Sequence, residues 1–341
     1  MKVKELIKYE EKSKIKAGEA VENGKYPFFT SSEAEDKRYN DYTCDTEGII
    51  MGTGGNATLH YCNGRFAVST DCLVLRTNDK VNCKYLFYFF KANMNILQAG
   101  FKGAGLKHTN KNYIENIEMN RLPDINQQKH IVYLIDKVET LVKKHNNIIN
   151  YLDTLIKARF VEMFGDEKIT GIFEDYVEIS RGASPRPIAS YITEEEDGIN
   201  WIKIGDVTPN DIYIKKTEEK IKKEGADKSR YVKKGDFVLS NSMSFGRPYI
   251  LNIDGCVHDG WLIISHYNNN YEPIFLYYLI RSDEVQHQFR TSVEGAIVSN
   301  LNSDIVRNVR VILPDKSKQK KFVNFAEHID KLKFDEIYHI I

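Results

Sequence analysis

From Gln127 to Phe164 the chain runs without a glycine or a proline. Within that stretch Ile131, Leu134, Val138, Leu141, Ile148, Leu152, Leu155 and Phe160 recur largely at steps of three and four residues. Such spacing lays side chains along one stripe of a helix. At 1.5 Å of rise per residue this is a rod of about 55 Å, against an average helix of about 11 residues. Gly165 follows where a helix end commonly takes a left-handed residue. Lys137, Lys143, Lys144, Asn146, Asn147 and Lys157 hold the other faces, so the rod buries one seam and calls for a partner helix along it. A long helix lying on a domain surface is the alternative.

The sequence around the rod repeats, and the repeat constrains everything else. Leu122-Pro123-Asp124 leads to Gln128-Lys129 and then to Ile131 and Leu134. Leu313-Pro314-Asp315 leads to Gln319-Lys320 and then to Phe322 and Phe325, an offset of 191 residues. Upstream, Lys84 to Phe90 answers Ile274 to Ile280 at an offset of 190, each a short buried helix after a β-rich section. Gly103-Ala104 answers Gly295-Ala296. Asn63-Gly64 answers Asp254-Gly255, read as turns between strands. The prolines stand just before the helices, where a missing amide costs nothing. The bodies diverge: Phe28-Phe29-Thr30-Ser31-Ser32 finds no close echo in Ile202-Lys203-Ile204-Gly205-Asp206. A second helix carries Phe322, Phe325, Ile329, Leu332, Ile337 and Ile340 and stops about 14 residues before the position matching Phe164. The duplication predicts that it runs antiparallel to the first.

Composition narrows the class. The 341 residues are 42% hydrophobic and 28% charged, enough for about two globular domains. Lys plus Arg equals Asp plus Glu at 48 each, which argues against binding of nucleic acid by bulk charge but not against local basic faces. Cys44, Cys62, Cys72, Cys83 and Cys256 form no C-x-x-C pair and are read as reduced thiols. The charged N-terminus lacks the apolar run of a signal peptide, and no 18-residue window suits a membrane span, so a cytoplasmic protein is expected.

Motifs for catalysis are missing. The sequence has no G-x-x-x-x-G-K-[ST], no G-x-G-x-x-G opening a helix, no H-E-x-x-H and no proline pair. Pro123-Asp124 with Asp166-Glu167-Lys168 imitates a nuclease metal site, but the two pieces stand at opposite ends of the rod. His60 and Cys62 lack further metal ligands at useful spacing and are read as neighbours on a strand.

Binding is better supported. Tyr26 to Ser32 ends a strand in the hydroxyl donors Thr30, Ser31 and Ser32. Arg38 to Tyr42 mixes charge, amide and aromatic side chains. Gly52-Thr53-Gly54-Gly55-Asn56-Ala57 lets backbone approach a ligand closely; as a phosphate cradle it would lack its lysine. In the second half, Arg181-Gly182-Ala183-Ser184-Pro185-Arg186-Pro187 is a stiff loop with two guanidiniums. Ser240-Asn241-Ser242-Met243-Ser244-Phe245-Gly246-Arg247 follows a strand at Asp236 to Leu239. Arg, Asn, Ser and Lys are the side chains that read base edges and phosphates. Singly, each loop reads equally well as a solvated turn. Occurring at matching places in both halves, they favour a nucleic-acid surface.

These stretches, with Trp201-Ile202-Lys203-Ile204-Gly205-Asp206, His258-Asp259-Gly260-Trp261 and the paired Leu-Pro-Asp…Gln helix starts, resemble the specificity subunits of type I restriction-modification systems over almost the whole length. The resemblance implies an α+β protein: two α/β target-recognition domains, 1–122 and 166–313, joined by long helices, 123–165 and 314–341, that form an antiparallel coiled coil. Each domain would grip one half of a bipartite site in double-stranded DNA, with the rod setting a gap of about one and a half turns at roughly 34 Å per turn. Methyltransferase and restriction subunits would dock and bring S-adenosylmethionine, ATP and Mg²⁺, leaving no cofactor, metal or catalytic residue in this chain and no membrane partner. The DNA-reading residues so implied are Thr30, Ser31, Ser32, Arg38, Thr53 and Asn56, then Arg181, Ser184, Arg186, Lys203, Asn241, Ser242, Ser244, Arg247 and His258. Trp201 and Trp261 are expected in the core. The shorter second helix departs from the family pattern. A coiled-coil scaffold that binds only protein, and a fused restriction-methylation enzyme of the same context, are the competing readings.

Overall fold

The computed structural model describes every residue except 104, 106, 209–210, 242–244, 294–299 and 339–341, and of residues 334–338 it describes the backbone. The match of Gly103-Ala104 with Gly295-Ala296, and the outer apolar positions Ile337 and Ile340, thus lie partly or wholly outside the described residues, as do Ser242, Met243 and Ser244. The chain divides into two compact units, Met1–Lys143 and Lys144–Ile341.

Unit 1 is built on strands β1 (Ile7–Tyr9), β2 (Tyr26–Phe29), β3 (Arg38–Tyr39), β4 (Cys44–Gly52), β5 (Leu59–Val68) and β6 (Cys72–Thr77), in the order β1-β6-β4-β5-β2-β3. Only β2 runs parallel to its neighbour β5; the other pairs are antiparallel. Helices α1 (Cys83–Ala92), α2 (Met94–Ala99) and α3 (Lys111–Glu115) follow, then α4 (Ile125–Phe164). Alternation along β4 sends Ile49 and Met51 into a core with Leu75, Leu86, Phe90 and Ile114, while Ile50 joins Phe29, Phe66 and Val74 on the other face.

Unit 2 carries β7 (Gly171–Ile172), β8 (Glu178–Arg181), β9 (Ile192–Thr193), β10 (Ile199–Ile202), β11 (Tyr213–Ile214) and β12 (Glu219–Ile221). The short α5 (Lys223–Ala226) leads to β13 (Arg230–Val232), β14 (Phe237–Ser240), β15 (Pro248–Leu251), β16 (Gly255–Val257) and β17 (Trp261–Ser265). Then come α6 (Pro273–Ile280), α7 (Asp283–Val293), α8 (Ser303–Arg307), β18 (Arg310–Val311) and α9 (Lys316–Tyr338). Two five-stranded sheets result, β13-β16-β10-β12-β9 and β11-β15-β14-β17-β8. Trp201 and Trp261 are buried, as expected.

The two ladders match position for position. Ile50 pairs with His60 and Val74 in unit 1; Val238 pairs with Tyr249 and Ile263 in unit 2. Phe29 lies parallel beside Val68, and Ile202 parallel beside Val257. Phe28-Phe29 and Trp201-Ile202, unlike in sequence, hold the same place: any large apolar pair fills the parallel strand, so shape was kept where identity was not. One expectation is corrected. Asn63-Gly64 is no turn between strands. It lies inside β5 opposite Thr46 and Glu47, with Gly64 at φ +116° bending the strand where unit 2 breaks into β15 and β16 before Gly255.

The repeated glutamines prove to be buried clamps, both fully shielded from solvent. Gln128 accepts the Asn82 N–H through Oε1 at 2.8 Å and donates Nε2 to the carbonyls of Lys80 at 3.2 Å and Pro123 at 2.8 Å. Gln319 accepts the Glu272 N–H at 2.8 Å and donates to Asn270 at 3.0 Å and Pro314 at 2.8 Å. One amide thus ties the start of α1 to the start of α4, and its twin ties α6 to α9. Asp124 caps α4 by accepting from Asn126 and Gln127 N–H at 2.9 and 3.0 Å.

In unit 2 the helices pair antiparallel. Phe322 packs on Phe160 and Phe164 with ring centroids at 5.3 and 5.8 Å, and eleven residues on, Lys333 reaches back to Asp153 at 2.6 Å. The seam differs from the expected one. α4 buries Ile156, Phe160 and Phe164, flanked by Leu152 and Met163, whereas Leu134, Val138, Leu141, Ile148 and Leu155 stay between 38% and 58% exposed. The reason lies in what each half meets. In unit 2, α6 and α9 present Phe275 and Phe322 to it, and Tyr278 packs on Phe322 behind them. In unit 1, α1 meets α4 through Lys84–Asp136 at 2.8 Å, Tyr88–Asp136 at 2.6 Å and Lys91–Glu139 at 2.8 Å, so the contact face is polar and the apolar stripe is left outside. Nor is Gly165 left-handed: its N–H continues the helix to the Val161 carbonyl at 2.7 Å.

Candidate nucleic-acid interface

In unit 2 the chain passes from β16 to β17 through the turn His258-Asp259-Gly260. The His258 N–H bonds to the Ile202 carbonyl of the parallel strand, and the Trp261 N–H closes the turn onto the His258 carbonyl. Asp259 collects the surrounding loops. Its carboxylate accepts the Ser184 hydroxyl at 2.8 Å and faces an Arg186 nitrogen at 3.5 Å; its carbonyl accepts from Arg181 Nε at 3.1 Å and from the Asn241 amide at 3.2 Å. The His258 ring completes the group, with Nδ1 accepting the Gly260 N–H at 2.9 Å. The Ser184 hydroxyl, then the neighbouring His258 ring and the Arg186 guanidinium, hold the Asp259 carboxyl below the usual carboxylate range against the opposing effect of burial. Gly182 allows the approach, since a Cβ there would sit 2.2 Å from the His258 carbonyl oxygen.

Five expected residues, Arg181, Ser184, Arg186, Asn241 and His258, therefore meet at one turn, and Arg186 is 83% exposed. Others lie apart. Lys203 is held by Glu219 at 2.6 Å, which raises the lysine pKa. Arg247 spends its N–H on the Ser240 hydroxyl at 3.1 Å, and its guanidinium lies beside the Tyr249 hydroxyl. Ser242 and Ser244 fall outside the described residues.

Unit 1 has a turn at the same place. Ser69 N–H bonds to the Phe29 carbonyl, and Cys72 N–H to the Ser69 carbonyl. Here the backbone gathers the loops: the Asp71 carbonyl accepts the Thr53 N–H at 2.8 Å, the Thr53 hydroxyl at 2.9 Å and the Ser31 hydroxyl at 2.9 Å. Asn56 stands exposed at the tip beyond Thr53, after Gly55 at φ +84°. Thr30 is 4% exposed, which puts its hydroxyl beneath the surface. Arg38 spends Nε and a terminal nitrogen on the carbonyls of Gly24 and Lys25, both at 3.2 Å, as a staple beside β3.

Three cationic or titratable residues at this turn went unread in the sequence. The loop after α2 folds back so that the Gly55 N–H meets the Lys107 carbonyl at 2.9 Å and the Thr109 N–H meets the Thr53 carbonyl at 3.1 Å; it brings Lys102, Lys107 and His108, all exposed, beside Asn56. The signal was a glycine-bearing loop with lysines on either side. In unit 2 the Leu301 N–H makes the matching bond to Asn241.

The chemistry of both turns is donation: guanidinium, ammonium, amide and hydroxyl groups on loops pinned to a sheet. Among the described residues no group of three His, Cys, Asp or Glu is placed to hold a metal ion. Burial pushes the thiols of Cys72 and Cys83 up to about 11 and about 12, so neither is a thiolate nucleophile at neutral pH. No helix among the described residues is long and apolar enough to cross a membrane.

The family model for the type I restriction modification DNA specificity domain matches residues 1–154 and 172–338. The chain is similar to the MjaVIII specificity subunit of Methanocaldococcus jannaschii, a type I restriction enzyme, at 22% identity over 83% of this chain and 72% of that one. It is similar at 22% identity to a type I restriction enzyme specificity subunit of Haemophilus influenzae, over 91% of this chain and 81% of the relative. Its fold matches the crystal structure of a type I restriction-modification S subunit from M. genitalium with a TM-score of 0.64 at 12% identity, covering 100% of this chain and 91% of that one. A chain solved in work on complex assembly of the type I R-M system matches with a TM-score of 0.55 at 14% identity over 100% and 93%.

Proposed function

The chain belongs to the type I restriction modification DNA specificity family, and on that premise we propose that it selects the DNA sequence for a type I restriction-modification complex, each unit reading one half of a bipartite site. The observation that carries this reading is the pair of equivalent turns, at Ser69–Asp71 and His258–Gly260, on which polar loops converge in both units. Unit 1 would read with Ser31, Ser32, Thr53 and Asn56, assisted by Lys102, Lys107 and His108. Unit 2 would read with Arg181, Ser184, Arg186, Asn241 and His258 at the turn and with Arg247 apart from it, while the expected Ser242 and Ser244 fall outside the described residues. Lys203 and Arg38, held by an ion pair and by carbonyls, serve as supports. Methyltransferase and restriction subunits would supply S-adenosylmethionine, ATP and Mg²⁺, docking beside the long helices where Leu134, Val138 and Leu141 stand exposed.

Mapping methylated adenines across the host genome with and without the gene tests this. A two-part motif that vanishes with the gene is expected, and its persistence would overturn the reading. The pure chain with DNA and S-adenosylmethionine should transfer no methyl group. Gel shifts should weaken steeply as salt rises, because phosphate contacts release counterions; a scaffold that binds only protein would give none.

A further inference from the structure

The loop that follows β2 is held by one buried side chain. His60, on β5 and 3% exposed, sets Nε2 2.8 Å from the Ser32 carbonyl and Nδ1 2.9 Å from a carboxylate oxygen of Glu35. A carbonyl and a carboxylate oxygen both accept, so the ring bridges the two by donating Nε2–H to the loop backbone and Nδ1–H to Glu35. The Phe29 ring, 5.2 Å away between centroids, keeps the imidazole in place. The same loop is tied at its start, where the Ser31 hydroxyl bonds to Asp71 in the turn. Two anchors therefore set where Ser31 and Ser32 present themselves.

Unit 2 has a device at the matching ladder position. Tyr249 pairs with Val238 as His60 pairs with Ile50. It is 1% exposed, and its hydroxyl donates to the Thr208 carbonyl at 3.5 Å, in the loop that follows β10. Bodies with unlike sequences thus keep a buried donor under the loop that leaves the parallel strand.

We propose that His60, through Ser32 and Glu35, is a positioning residue that fixes which bases unit 1 accepts without touching DNA itself, and that Tyr249 does the same in unit 2. This rests on the DNA-reading function proposed above. An imidazole bridging backbone and side chain holds the loop in one geometry, and a base contact loses discrimination when its donor is free to shift.

The test replaces the gene in its host by H60Q, E35Q or Y249F and maps the methylated adenines. E35Q and H60Q should each relax one part of the motif, raising methylation at sites altered in that part roughly tenfold, as expected for one charge-assisted hydrogen bond, and leave the other part intact. Y249F should do the reverse. A merely structural role would lower methylation at every site alike and change no base preference. Should H60Q fail to fold, E35Q decides, since Glu35 is 62% exposed and its exchange leaves the core packing alone; its thermal unfolding midpoint should match wild type. An unchanged two-part motif in E35Q and H60Q overturns the positioning role while the DNA-reading function stands. Absence of any gene-dependent motif in wild type overturns both.

Discussion

Unit 1 and unit 2 reach the same ladder by different means. In unit 1 a single strand, β5, pairs with β4 along its first part and with the parallel strand β2 at its end, bending at Gly64. In unit 2 that work is divided between β15 and β16. The hub of loops likewise changes chemistry: a backbone carbonyl at Asp71, a side chain plus carbonyl at Asp259. What stays constant is the frame, meaning the order of pairing, the glutamine clamp and the place of the turn. A scaffold that fixes positions while leaving contacts free can carry two different readers, and that is the use of the comparison.

The sharpest break of the comparison lies in the helix contacts. Phe160→Ala removes a ring packed on Phe164, Phe275 and Phe322 and should destabilise unit 2 by about 3–5 kcal/mol. Unit 1 should keep its stability, because its contact with α4 is made of Lys84, Tyr88 and Lys91. Hydrogen exchange resolved by segment would show it; equal loss of protection in both units would mean that they unfold together.

Next come the clamps. Gln128→Ala and Gln319→Ala each strip partners from a buried N–H and two carbonyls. Each should cost about 2–3 kcal/mol, one in each unit, measured by chemical denaturation of the two variants. A large difference between them would show that the repeat preserved the residue but not its role.

How far the chain could be read follows from these same residues. The Leu-Pro-Asp…Gln echo and the three-four spacing of α4 are local patterns, so helix starts, helix lengths and the duplication were legible. The seam was misplaced because two apolar rows share the helix. One steps by seven through Leu134, Leu141, Ile148 and Leu155; the other steps by four through Leu152, Ile156, Phe160 and Phe164, and only the partner decides which row is covered. Arg181, Ser184, Asn241 and His258 could be named as candidates, but not joined: the turn that joins them lies up to 78 residues away in sequence. His60 looked like an ordinary strand residue, since the loop it holds is 25 to 28 residues distant.

Acid should separate the two hubs by a smaller margin. The Asp259 carboxyl lies below the usual range in the folded chain, against about 3.9 when unfolded. Its contribution is complete above that unfolded value and is lost as the pH falls through the lower folded one. Amides of the turn at 258–260 should therefore lose protection in acid, measured against their intrinsic exchange rates at each pH, and Asp259→Asn should reproduce the loss at neutral pH. Thr70 holds the matching place in unit 1 and has no proton to gain there. Amides of the turn at 69–71 should accordingly change less over the same pH range, and Thr70→Asn should leave them as they are.

The smallest effect is expected where the units look most alike in sequence. Val138 and Ile329 stand 191 residues apart in the repeat, yet Val138 is 58% exposed and Ile329 is 6% exposed. Val138→Asp exchanges one moderate helix former for another on an open face, so the isolated chain should lose no more than about 0.5 kcal/mol. Ile329→Asp would bury a carboxylate against Phe322 and its neighbours and should be far more damaging. A large cost at Val138 in a concentration-dependent unfolding experiment would mean that the stripe is covered in solution by another copy of the chain. A cost that appears only when other subunits of the complex are present would instead assign the stripe to them, and the exposed row on α4 would then be the counterpart of the buried row that α9 supplies with its own partner in unit 2.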